Sequence, residues 1–168
     1  MSIYLDGALQ GGGLTTIADV TVSGGAVTTM DTGAITLAEN QLYNFCGEIK
    51  YIAACLVNIY NNGNTTTSNY ETALIGSAGG GENLSAASAI GCTGTNAITH
   101  FTGTIMRTGV KCTLVLERYD RLDPSNGFIR YATSFDVNSV ITTTSFQLTA
   151  TVASAIDNGS WFKITEAY

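Results

Sequence analysis

Lys111-Cys112-Thr113-Leu114-Val115-Leu116-Glu117-Arg118 sets Cys112, Leu114 and Leu116 on one side of an extended chain and Lys111, Thr113 and Glu117 on the other. That period of two is the mark of a strand with one face in a core and one largely outside it. Phe146-Gln147-Leu148-Thr149-Ala150-Thr151-Val152 repeats the pattern, with Phe146, Leu148, Ala150 and Val152 expected inward. Near the C-terminus Asn158-Gly159 signals a turn, since both residues tolerate positive φ, and a last strand follows over Ser160 to Glu166 with Phe162 and Ile164 facing the core.

Working outward, Thr, Val, Ile, Tyr and Phe dominate while Gly and Asn punctuate at short intervals. Further strands are expected over Ile17 to Ser23, Ala26 to Met30, Gln41 to Ile49, Ala54 to Tyr60, Tyr70 to Gly76, Ala97 to Ile105 and Phe128 to Phe135. Breaks fall at Ser23-Gly24-Gly25, Asn61-Asn62-Gly63-Asn64, Gly79-Gly80-Gly81 and Leu122 to Gly127, where the single proline, Pro124, occupies a turn. The best helical stretch, Leu84 to Ile90, is short and ends at a glycine. About ten short strands with little or no helix fit an all-β, jelly-roll-like antiparallel sandwich better than a βαβ fold, which needs helical patterns between strands.

The 168 residues are one domain's worth, and a chain this long buries roughly 70% of its unfolded surface without disulfide staples. Charged residues make up 12% and the net charge is −6, which removes the basic footprint that a phosphate-backbone binder needs. No nucleic-acid partner is expected. The longest apolar run, Tyr51 to Val57, is far short of the ~20 residues that span a bilayer, and no basic region followed by an apolar stretch opens the chain. No membrane partner is expected, and synthesis in a cytoplasm without a signal peptide is.

The parts needed for catalysis are scarce. His100 is the one histidine, it lies in an expected strand, and no G-x-S-x-G elbow accompanies it. Cys46, Cys55, Cys92 and Cys112 show no C-x-x-C spacing and read as small buried hydrophobes. Asp120, Asp123 and Asn126 lack the spacing of a calcium loop, and Gly11–Gly13 and Gly79–Gly81 lack that of a phosphate loop. Thirteen acids could supply a carboxylate pair, but nothing selects one. No catalytic, cofactor or metal residue is assigned, and the chain is read as a non-enzyme. Outside the expected core, strand residues are mainly Thr, Gln and Asn, a low-charge exterior suited to a subunit buried among neighbours.

Gly11-Gly12-Gly13 separates the first residues from the first clear strand. Residues 1–16 are therefore read as an N-terminal arm or a first strand, and 17–168 as a single sandwich domain. Ile3, Tyr4, Leu5, Ala8 and Leu9 form an amphipathic piece able to dock on a neighbour.

The segment from Val57 through Asn61-Asn62-Gly63-Asn64-Thr65 to Asn69-Tyr70 resembles the strand, Asn-Gly-Asp-Thr-like turn and Asn-Tyr of small jelly-roll proteins of tailed-bacteriophage virions. Phe101-Thr102-Gly103-Thr104-Ile105, the Lys111 to Leu116 strand, Ser139 to Leu148 and the ending Gly159-Ser160-Trp161-Phe162-Lys163-Ile164 follow in similar order. The likeness spans roughly Cys55 to Tyr168 and rests on the order of individually weak motifs. Asn64 stands where the pattern has Asp, and the Asp123-Pro124-Ser125-Asn126-Gly127 loop is outside it.

The resemblance implies a non-enzymatic virion protein without a cofactor that forms homo-oligomers, commonly trimers. It would act as a capsid decoration or cement protein bridging major capsid protein subunits, and the Met1–Gln10 arm is in turn expected to anchor it to the major capsid protein or an adjacent subunit. The alternative it leaves open is a tail-tip or fibre-head module binding a host glycan or receptor through exposed loops. Asn61, Asn62, Asn64, Asn69, Tyr70, Asp120, Asp123 and Asn126 are the candidate contacts there. A bacterial carbohydrate-binding module and an enzyme are the weaker readings.

Overall fold

The computed structural model describes residues 14–66, 70–76, 81–84, 89–92, 97–120, 128–135 and 142–167, with 70–76, 81–84, 89–92, 118–120 and 128–135 as backbone. They form twelve strands: β1 (Thr16–Thr21), β2 (Thr29–Asp31), β3 (Leu42–Lys50), β4 (Cys55–Asn61), β5 (Tyr70–Gly76), β6 (Gly81–Leu84), β7 (Ala89–Cys92), β8 (Ile98–Thr108), β9 (Lys111–Asp120), β10 (Phe128–Phe135), β11 (Phe146–Ala150) and β12 (Trp161–Glu166). An eight-stranded antiparallel sheet runs β1-β12-β3-β8-β9-β10-β5-β6, and a four-stranded one runs β2-β11-β4-β7.

The chain changes sheet at every step from β1 to β5, and again from β6 to β7, β7 to β8, β10 to β11 and β11 to β12. With β5–β6 and β9–β10 set aside, the remaining strands make two four-stranded sheets, β1-β12-β3-β8 and β2-β11-β4-β7. This interleaving is a jelly roll. The other four strands extend the large sheet beyond β8.

Two of the twelve strands, β6 and β7, escape the sequence reading. Leu84 and Ile90, the ends of the best helical stretch in a chain expected to hold little or no helix, fall in β6 and β7, while residues 85–88 lie outside the described residues. Gly81, read as loop, opens β6. Their register explains it: β6 pairs with β5, and β7 adds to β4 as an edge, so the short segments Gly81-Glu82-Asn83-Leu84 and Ala89-Ile90-Gly91-Cys92 become strands by completing a neighbour's ladder.

One apolar cluster fills the space between the sheets. From the large sheet come Phe45, Ile49, Phe101, Ile105, Cys112, Leu114, Leu116, Phe162 and Ile164, and from the small sheet Met30, Val57, Ile59, Phe146 and Leu148. The expected inward sets of β9, β11 and β12 are buried, with one correction. Val152 is 41% exposed, because β11 ends at Ala150 and the alternation stops with it. Tyr43 is buried and its hydroxyl accepts a hydrogen bond from the Ala38 amide at 2.6 Å, so the core keeps its polar tip satisfied.

The described cysteines Cys55 and Cys112 are buried and Cys46 is half-buried, as small hydrophobes would be. Burial pushes the Cys112 thiol from its ordinary 9.0 up to about 12, against smaller opposing effects of a hydrogen bond to Thr143 and the charge of Arg107. Above about pH 9 the unfolded chain releases this proton while the folded one holds it, so stability falls as pH rises toward 12. Cys112→Ala is expected to make this decline shallower, which urea midpoints taken at a series of pH values above 8 will show.

Candidate functional surfaces

Three of the loop residues expected to make contacts, Asn61, Asn62 and Asn64, are used by the fold itself. Asn61 is not exposed: it is the last residue of β4, fully buried, and its Nδ2 donates to Thr143 Oγ1 at 2.8 Å. Asn62 and Gly63 take positive φ, 51° and 66°, and the Asn64 amide donates to the Asn61 carbonyl at 2.9 Å, which closes the turn. The Asn62 Oδ1 accepts from the amides of Thr144 and Ser145 and from the Thr144 hydroxyl, and its Nδ2 donates to the Thr142 carbonyl. Asn64 Oδ1 accepts from the Thr66 amide.

Asn62 thus ties the end of β4 to the strand-like approach of β11. Asn62→Ala strands several of these groups at once, and we expect a loss of about 2 kcal/mol in urea unfolding. Of the other expected contacts, Tyr70 begins β5 and Asp120 ends β9, so neither backbone is in a loop. Asn69, Asp123 and Asn126 lie outside the described residues, as do Ile3, Tyr4, Leu5, Ala8 and Leu9.

What the fold leaves facing outward are two sheet faces. On the small sheet, parity turns Thr29 and Asp31 of β2, Gln147 and Thr149 of β11, and Leu56 and Asn58 of β4 away from the core. Gly91 and Ala89 are the register partners of Leu56 and Asn58 on β7. Asp31 is the one charged residue among these, and Gln147 Nε2 donates to its Oδ2 at 2.6 Å while the Gly33 amide donates to its Oδ1 at 2.8 Å. The Thr29 and Thr149 hydroxyls share a hydrogen bond at 3.2 Å, and Asn58 Nδ2 donates to the Tyr60 hydroxyl at 3.0 Å. Leu56, half exposed, stands among these neutral groups. A face of this kind can be covered by another protein with little charge to desolvate.

The outer face of the large sheet changes character along its strands. At one end, register places Trp161, Glu48, His100 and Tyr119 in a row across β12, β3, β8 and β9. Glu48 Oε2 is 3.4 Å from His100 Nδ1, and Glu48 Oε1 is 3.6 Å from Lys50 Nζ. Cys46 lies one outward step along β3, but burial, its largest influence, raises its thiol pKa. A nucleophilic cysteine needs the opposite shift. At the other end, Leu42 lies opposite Met106, with Val115 opposite Thr104 on the next outward row, and all three apolar side chains are exposed.

The sequence gives no sign of these rows, because Trp161 and Glu48, Glu48 and His100, and Leu42 and Met106 are 113, 52 and 64 positions apart and only the sheet order pairs them. Among the described residues no group of three His, Cys, Asp or Glu side chains is placed to hold a metal ion, and no helix is long and apolar enough to cross a membrane. Comparison with family models, with curated proteins and with solved structures finds no match.

Proposed function

We propose that this chain is a non-enzymatic structural subunit of a phage virion, a homo-oligomerising jelly roll that decorates the capsid and bridges major capsid protein subunits. The observation that carries the reading is the neutral outer face of the small sheet, where the one outward charge, Asp31, is already engaged by Gln147 and Gly33. Packing such a face against another subunit costs little desolvation, and repetition over a symmetric shell multiplies a modest contact into firm attachment. The virion setting rests on the resemblance of the Cys55 to Tyr168 motifs.

A second reading, a tail-tip or fibre-head module that binds a host glycan, draws on the Trp161–Glu48–His100 row, since an indole beside hydrogen-bonding groups suits a sugar ring. It moves the binding surface from the loops first expected to the sheet. Immunogold labelling of phage particles produced by the cell that carries the gene separates the two. Label spread over the shell is the expected result, label confined to the tail tip favours the second reading, and unlabelled particles overturn both.

A further inference from the structure

We infer that the apolar strip at one end of the large sheet's outer face is covered by the chain's own N-terminal segment, with Ile3, Tyr4, Leu5, Ala8 and Leu9 lying across Leu42, Met106 and Val115. Leu14, Leu42, Met106 and Val115 are four of the seven large hydrophobic residues exposed among the described residues. They lie close together. Thr15 O accepts from the Glu166 amide and Leu42 O from the Ala167 amide, which carries the β1–β12–β3 register one step past the strand ends. Leu14, Ala167, Leu42 and Met106 therefore follow one another across the sheet, with Val115 one outward step further along on β9.

The occupant is identified by where the described chain starts. Residues 1–13 join the sheet at Leu14, the head of this row. From β1 to β9 is four strand spacings, roughly 19 Å at about 4.8 Å each, and residues 3–9 in extended form reach roughly 23 Å. Gly11-Gly12-Gly13 supplies backbone freedom for the sharp change of direction between β1 and a course across the strands. A segment tethered this close faces its own strip at an effective concentration on the order of millimolar, above that of a neighbour's segment in dilute solution. This inference concerns a different face from the proposed assembly surface and stands or falls separately.

The test places the photo-cross-linker p-benzoylphenylalanine at Tyr4 of the full chain and irradiates the protein at low micromolar concentration. Expected are products of single-chain mass whose cross-linked peptides contain Leu42, Met106 or Val115. Met106→Lys, an exposed change outside the core, should lower their yield about ten-fold, while Thr21→Lys at the other end of the same face leaves it unchanged. Products of two-chain mass assign the strip to a neighbour's segment and overturn the inference. So do cross-links to other parts of the chain, an absence of cross-links, or a yield indifferent to Met106→Lys.

Discussion

Phe45→Ala is expected to lower the unfolding free energy by about 4 kcal/mol, measured as a shift of the urea midpoint at unchanged slope. Phe45 is fully buried on the large sheet's inner face, on β3 between β12 and β8, and its ring lies 5.1 Å from that of Phe101 and 5.7 Å from that of Phe162, tilted against both. Truncation removes the area buried by one ring and the edge and face contacts of two others, and strands held on both sides by ladders cannot close over the gap. Against a total of roughly 5–15 kcal/mol for a domain, that is a large share. Thr102→Ala, on the exposed face of the neighbouring β8, is expected to stay within about 0.5 kcal/mol.

Gly103→Ala should cost about 3 kcal/mol although it adds a single carbon. Gly103 pairs with Leu116 across β8 and β9, and a Cβ there would strike the Val115 carbonyl oxygen, with Leu116 Cα and the Val115 carbonyl carbon each 3.0 Å away. All three are backbone atoms of a central strand, so no side-chain rotation relieves the clash. Gly109→Ala, in the two-residue turn of the same hairpin, provides the comparison. Nothing lies within 4 Å of its Cβ position, and only its φ of +62° resists a side chain, so a loss of about 1 kcal/mol is expected. Equal losses at the two sites would contradict the close approach of β8 to β9.

How much of this was legible in the sequence depended on whether the signal was local. Cys112, Leu114 and Leu116 alternate within a few residues, and so do Phe162 and Ile164; a period of two survives any choice of neighbours. Tyr70 to Gly76 and Phe128 to Phe135 are strands with the bounds that composition predicts. The Gly81–Leu84 and Ala89–Cys92 strands carry too little aliphatic or aromatic signal, and their ladders with β5 and β4 decide their state.

Asn61 illustrates the same limit for site residues. In sequence it belongs to a polar turn, and only the approach of Thr143, eighty-two positions on, makes it a buried hydrogen-bonding group. The outer faces could not be read at all, since the neutrality of the small sheet's exterior depends on bringing β2, β11, β4 and β7 side by side. Sequence indicated a low-charge exterior in general; the fold concentrates it on one face.

The proposed role makes that face an interface between copies or with a capsid subunit, and self-association is its nearest consequence. Native mass spectrometry of the full chain, beside the double variant Leu56→Lys with Thr149→Lys, tests it most directly. Both positions are turned away from the core, so the variant should unfold at nearly the same urea concentration. The predicted result is a homotrimer for the natural chain and a monomer for the variant, because two buried lysines without partners would be strongly unfavourable at the interface. A natural chain that stays monomeric at every concentration, or a variant that remains trimeric, would contradict the assignment of this face to assembly.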